Sequence, residues 1–137
     1  MIEWNKYTNI PYCHRGRSLE KDGGLDCWGL VVYFYKHEFG IDLPFFTNMY
    51  YESSREISDL NHMIDQNKVR DLFVKVDRGL EGDILLYRVH GEPIHATIKV
   101  DKRRFLHSHK NNTSVIIEDI NWRNKLESAY RHKLRMG

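Results

Sequence analysis

The chain has 137 residues, of which 41% are hydrophobic and 12% aromatic, and this composition excludes a disordered segment and predicts one globular domain over residues 1–137. The net charge of +2 and short basic clusters without a recognition motif predict no nucleic-acid partner. No apolar run approaches the roughly 20 residues that span a bilayer, so we expect no membrane partner. The first residues lack a basic segment followed by an apolar run, and we expect a protein made in the cytoplasm without a signal peptide.

The first predicted element is a helix that starts beside a cysteine. The Asp-Gly-Gly segment at 22–24 is a chain breaker, and Asp26 can cap a helix by accepting backbone N–H bonds. The residues after the cap have helical spacing up to Phe39 and Gly40, namely Cys27, Leu30, Val31, Phe34 and Tyr35. A second helix is predicted after Ser53 or Ser54, with apolar residues on one side at Ile57, Leu60, Met63 and Ile64.

From Leu72 onward the hydrophobic pattern changes to a period of two, which is typical of strands. Strands are predicted at 72–76, 82–89, 94–100, 104–108 and 114–118, with a turn at 90–93 and a final edge strand at 128–132. Helices followed by a run of strands predict an α+β fold with an antiparallel sheet of about five to six strands.

Cys27 is the candidate nucleophile. A thiol becomes reactive when its pKa falls, as happens at a helix N-terminus or beside an imidazolium. The N–H of Cys27 is also a candidate donor to a developing oxyanion. The chain has only one other cysteine, Cys13, so a disulfide framework is not expected, and a buried core thiol is the alternative interpretation of Cys27.

Two histidines twelve residues apart complete a set of nucleophile, base and orienting group. His95 is the candidate base, and a tight hairpin would bring His107 beside it to hold its ring in one tautomer. His109 faces the same way as His107 by strand alternation and is an alternative third residue. A zinc site formed by Cys27, His95, His107 and His109 is a further alternative, although we expect neither metal nor cofactor.

These motifs stand in the order found in a known family. The Pro-Tyr pair at 11–12, the Gly-Leu-Asp-Cys-Trp-Gly-Leu-Val motif at 24–31 and the segment 40–44, then 81–86, His95 and 105–108, resemble the NlpC family of papain-like cysteine peptidases. The resemblance implies a papain-like fold, with N-terminal helices packed on the sheet. It also implies amide hydrolysis in the stem peptides of bacterial peptidoglycan, which would be the substrate partner.

The resemblance further implies individual roles. Cys27 would attack the substrate, His95 would act as base and His107 would orient His95. Tyr12 would line the site. The predicted substrate-binding residues are Tyr12, Asp26 and Trp28.

The chain departs from the family beside both catalytic motifs. Trp28 stands where the family usually has serine, and Ala96-Thr97-Ile98 stands where the family usually has Val-Gly-Ile after the histidine. Residues 45–80 are a predicted insertion. The Cys-Trp-Gly-Leu motif without a signal peptide resembles peptidase subunits of phage or prophage tail tips. That likeness implies other tail proteins as partners and a virion tail acting at the cell wall. The alternative is a structural tail-assembly subunit with little or no activity.

Overall fold

The computed structural model describes residues 2–14, 16, 18–43, 72–89, 92–108, 113–119, 122 and 125–136. A short 3-10 helix at Trp4–Tyr7 precedes helix α1 at Leu19–Asp22 and helix α2 at Cys27–Phe39. Six strands follow in chain order: β1 Phe73–Val76, β2 Ile84–Val89, β3 Glu92–Lys99, β4 Arg104–His107, β5 Val115–Glu118 and β6 Leu126–His132. A 3-10 helix at Lys133–Arg135 comes after β6.

Helix α2 has the bounds that its sequence predicts. Asp26 is the N-cap in extended conformation, and its side chain accepts a hydrogen bond from the backbone N–H of Gly29. At the other end Gly40 adopts φ 65°, a left-handed conformation that costs glycine little and stops the helix. The helix prediction is confirmed, because local capping signals act at both ends.

The sheet has the order β1-β6-β2-β3-β4-β5, and its neighbouring strands pair antiparallel. This confirms the predicted antiparallel sheet of about six strands. The prediction of an edge strand at 128–132 is wrong, since β6 pairs with β1 on one side and with β2 on the other. Strand β1 takes the edge position, and long-range pairing of this kind has no signal in the local sequence.

Strand β3 begins two residues earlier than predicted. Glu92 pairs with Val89 across a register shift in β2, so Glu92 and Pro93 extend the strand instead of forming a turn. The predicted helix after residue 53 and the alternative residue His109 lie outside the described residues.

Two groups of buried side chains form the core. Residues of α2 and of the N-terminal segment pack on one face of the sheet around Ile84, Leu86 and Ile98. A smaller cluster lies on the opposite face, because Leu85 and Tyr87 alternate with the first group along β2. The members of this smaller cluster are Leu85, Tyr87, Phe105 and Ala129, with Val76, Ile117 and Trp122 packed against them.

Within the described ranges, no helix has both the length and the apolar character needed to cross a membrane. Coverage of residues 1–137 by a single domain stays a prediction.

Candidate active site

Cys27 is the first residue of α2 and is half-buried. Backbone N–H groups at a helix start lack partners within the helix, and the helix dipole there favours negative charge. Asp26 satisfies one of these groups, since its Oδ1 accepts from the Gly29 N–H at 2.7 Å, and only 2% of Asp26 is exposed. A thiolate at Cys27 is therefore in a favourable electrostatic position.

Two glycines allow the preceding loop to pack closely against this helix start. A Cβ on Gly29 would lie 2.1 Å from the carbonyl oxygen of Gly16, and one on Gly24 would lie 2.5 Å from that of Pro11. Both distances are too short for any side chain, so the glycines of the motif let two backbone segments touch. The loop is also hydrogen-bonded, since the Leu25 N–H donates to the Pro11 carbonyl at 2.9 Å.

His95 and His107 contact each other across β3 and β4. These strands pair at Ile98–Leu106 and Lys99–Phe105, near the connection that joins them. Farther from that connection, His95 Nε2 and His107 Nδ1 lie 3.0 Å apart in a buried hydrogen bond. The rings are nearly perpendicular, at 83°. The predicted contact between His95 and His107 is therefore present.

A hydrogen bond and helix packing connect the segment that carries Cys27 to the strands that carry the two histidines. Ser108 follows His107, and its buried Oγ donates to the Leu25 carbonyl, two residues before Cys27, at 3.0 Å. Helix α2 also packs against β3, the strand that carries His95. These contacts join the elements that carry all three predicted catalytic residues.

Trp122, which follows β5, is a site residue that the sequence did not reveal. Its ring centroid lies 6.1 Å from that of His95 and 5.7 Å from that of His107. It also meets Tyr87 and Phe105 edge to face, at 5.8 and 5.4 Å. Nothing in a single sequence links a tryptophan after β5 to the rings of β2, β3 and β4, so no local signal could have identified it.

Two of the predicted substrate-binding residues have other places in the structure. Trp28 is fully buried in the core, with 0% of its surface exposed. Asp26 is buried as the helix cap. Both residues therefore build the helix start in this structure, and their contact with substrate stays a prediction. Tyr12 is half-buried in the loop before α1, and its contact with substrate stays a prediction.

Neither Cys13 nor Cys27 is in a disulfide, and both are half-buried. In the part of the chain that the structure describes, no group of three or more His, Cys, Asp or Glu side chains is placed to hold a metal ion. The zinc alternative also requires His109, which lies outside those residues.

A sequence model of the NlpC/P60 family matches residues 9–132. This chain belongs to the NlpC/P60 family. The match extends over all of the motifs on which the resemblance to the NlpC family was based, and that resemblance is confirmed.

Curated relatives of this NlpC/P60 chain include a protein of Escherichia coli K12 named murein DD-endopeptidase MepS/murein LD-carboxypeptidase. It is 24% identical over 134 residues, which cover 96% of this chain and 60% of the relative. The same identity and coverage are found for the protein of that name in Escherichia coli O157:H7. The chain thus spans 60% of the length of the curated relatives it matches.

Solved structures of NlpC/P60 proteins share the fold. The NlpC/p60 domain of peptidoglycan hydrolase SagA has a TM-score of 0.60 at 16% identity, with 94% of this chain and 92% of that one covered. A lipoprotein-like NLP/P60 protein of Staphylococcus aureus Mu50 has a TM-score of 0.56 at 20% identity, covering 92% of this chain and 37% of that one. The predicted papain-like α+β fold class is confirmed.

Proposed function

We propose that this protein is a cysteine peptidase that hydrolyses an amide bond in the stem peptides of bacterial peptidoglycan. The observation that carries the proposal is the buried hydrogen bond between His95 and His107, tied through Ser108 to the helix start at Cys27. Membership of the NlpC/P60 family supports the reaction class. The names of its relatives, a murein endopeptidase and a peptidoglycan hydrolase, support the substrate class.

The histidine contact determines which nitrogen can act as base. A neutral imidazole carries one N–H, so one of the two bonded nitrogens must donate and the other accept. If His95 Nε2–H donates to His107 Nδ1, the neutral His95 has its lone pair at Nδ1, the nitrogen that faces away from His107. We therefore assign proton exchange with Cys27 to His95 Nδ1, and the orienting bond to Nε2.

The reaction then follows in two stages. The Cys27 thiol gives its proton to His95 Nδ1, and the thiolate attacks the amide carbonyl carbon to form a C–S bond. Backbone N–H groups at the start of α2 stabilise the oxyanion. His95 returns its proton to the leaving amine as the C–N bond breaks, which leaves an acyl-enzyme thioester. Water, deprotonated by His95, attacks the thioester and releases the carboxylic acid and the Cys27 thiol.

During both stages His95 becomes an imidazolium. His107 Nδ1 remains the acceptor for His95 Nε2–H, so it holds the ring in place and stabilises its charge without taking the proton. Burial strengthens this bond, because 4% of His95 and 6% of His107 are exposed and little water competes. This chemistry requires neither a metal nor a cofactor.

The two cysteines provide a matched experiment. We expect Cys27→Ala to abolish release of fragments from purified sacculi, while Cys13→Ala keeps the activity of wild type. Both cysteines are half-buried residues, so a thiol reagent that labels Cys27 faster than Cys13 at neutral pH reports activation and not exposure of the residue alone. Masses of the released fragments identify the bond. Digestion of sacculi by a folded Cys27→Ala protein would overturn the proposal.

A phage or prophage tail remains our proposal for where the protein works, with other tail proteins as partners. The alternative function is a structural tail subunit with little activity. An unreactive Cys27 together with no turnover of sacculi or wall fragments would favour that alternative, whereas fragment release excludes it.

A further inference from the structure

We propose that Trp122 is a positioning residue that covers the hydrogen bond between His95 and His107 and excludes water from it. Its effect on catalysis rests on the function proposed above, but its effect on the histidine pair does not. Three observations carry the inference: the ring contacts of Trp122, the way its backbone is held, and its partial burial.

The indole rests on rings from three neighbouring strands. Tyr87 comes from β2, His95 from β3, and Phe105 and His107 from β4. Tyr87 and Phe105 are stacked on each other at 4.8 Å and form a rigid apolar support beside the histidines. Trp122 thus contacts both partners of the hydrogen bond at once, His95 on β3 and His107 on β4.

Backbone hydrogen bonds hold Trp122 in this position. Its N–H donates to the Asp119 carbonyl at 2.7 Å, and the Lys125 N–H donates to the Trp122 carbonyl at 2.8 Å. The ammonium of Lys125 lies 5.3 Å from the centroid of the indole ring, a cation–π contact. Trp122 is half-buried, while both histidines are buried, which is the gradient expected of a side chain that separates the pair from solvent.

A covering side chain matters because a base must keep its orientation throughout the reaction. Water that reached His95 Nε2 or His107 Nδ1 would compete for the bond between them and let the His95 ring turn. Small misplacements of a catalytic group have large effects on rate. Removal of the indole would open a space beside two polar nitrogens, and such a space is one that water can enter.

The experiment follows the ring proton itself. In protein labelled with ¹⁵N-histidine, the His95 Nε2–H proton of wild type should exchange slowly with water in NMR spectra. Trp122→Ala should speed this exchange beyond detection and slow alkylation of Cys27 by about tenfold to a hundredfold. Trp122→Phe should restore part of the slow proton exchange and part of the alkylation rate, because a smaller aromatic ring still covers the two histidines. Trp4→Phe is the matched control, since that indole stacks on Phe34 at 5.0 Å, away from the histidines.

The outcomes separate this inference from the proposed function. If Trp122→Ala keeps both the slowly exchanging proton and the alkylation rate, the inference is overturned, even if wild type digests sacculi. If wild type digests no sacculi while the proton depends on Trp122, the proposed function fails and the inference stands. If Trp122→Ala does not fold by circular dichroism, Trp122→Phe and Trp122→Leu decide, and equal exchange in these two would overturn the inference. In an active enzyme, Trp122→Phe should lower kcat with little change in KM.

Discussion

At the scale of single residues, the feature that matters is which atom of each histidine meets the other. His95 uses Nε2 and His107 uses Nδ1, at 3.0 Å. The Nδ1 atom of histidine is bonded to Cγ, as is the Oδ1 atom of asparagine. A shorter side chain with an acceptor at the same branch can therefore replace His107 in the orienting bond, and an apolar one cannot.

This equivalence gives a prediction for His107. We expect His107→Leu to lower kcat for a soluble stem peptide by about 10²- to 10⁴-fold, because leucine offers no acceptor for the Nε2–H of His95. His107→Asn should keep most of the activity, since its Oδ1 accepts the same N–H. Steady-state kinetics of both variants test this, with circular dichroism as the control for folding. A His107→Leu enzyme as active as wild type would contradict the assigned role.

At the scale of elements, α2 both supports the core and presents the cysteine. The apolar residues of this helix are buried, while its capped N-terminus carries Cys27. The buried residues include Trp28, Leu30, Val31, Phe34 and Tyr35. Stability of the helix start and reactivity of the thiol therefore depend on one local structure. The cap is also buried, so its loss leaves the Gly29 N–H without its acceptor in a site that water reaches poorly.

The cap leads to a prediction for Asp26. Asp26→Ala should lower the free energy of unfolding by about 1–2 kcal/mol, because the helix start loses its cap. It should also slow alkylation of Cys27, because Cys27 is held by that helix start. Asp26→Asn keeps a hydrogen-bond acceptor and should change stability less. Urea denaturation and thiol labelling measure the two effects.

Ser18→Ala is the matched control for that prediction. Ser18 caps the short helix α1, where its side chain accepts from the Lys21 N–H at 3.4 Å in a solvent-exposed hydrogen bond. Loss of this longer bond should cost less than about 1 kcal/mol and leave the labelling rate unchanged. If Asp26→Ala and Ser18→Ala had equal effects on labelling, the cap would have no special influence on Cys27.

At the scale of the whole molecule, a buried carboxylate joins distant parts of the chain. Asp83 lies just before β2 and is 0% exposed. It accepts hydrogen bonds from Arg131 of β6, from Arg135 of the last 3-10 helix and from the Leu80 N–H. The hydrogen bond from Arg131 to the Asp83 carboxylate raises the pKa of Arg131. The neighbouring Gly82 carbonyl accepts from the Tyr35 hydroxyl of α2 at 2.6 Å, so helix and sheet meet at the same point.

We expect Asp83→Ala to lower the free energy of unfolding by about 3–5 kcal/mol, because it leaves two largely buried guanidinium groups without their counter-charge. Asp83→Asn removes the charge but keeps hydrogen-bond acceptors, and it should cost less. Urea denaturation of both variants measures the effect.

An exposed ion pair supplies the comparison. Arg88 and Glu127 also join β2 to β6, at 2.7 Å, but more than half of the Arg88 side chain is exposed. Arg88→Ala should therefore cost less than about 1 kcal/mol. A loss in Asp83→Ala no larger than in Arg88→Ala would show that burial of the carboxylate does not strengthen this network.

The sequence by itself determined the features that depend on neighbours along the chain. The Asp26 cap, the apolar spacing of α2 and the left-handed Gly40 act within a few residues, so the bounds of the helix were predictable. Strand alternation identified the ends of all six strands of the sheet to within two residues. The order of motifs around Cys27, His95 and His107 was sufficient for the family.

Only the tertiary structure decided what depends on contacts between distant segments. It placed β6 between β1 and β2, buried Trp28, and brought Trp122 against both histidines. It also selected the nitrogen atoms through which His95 and His107 meet. The physical reason is common to all four: pairing partners and ring contacts are chosen by the packing of the whole sheet, and that packing leaves no signal in the residues beside any one of them.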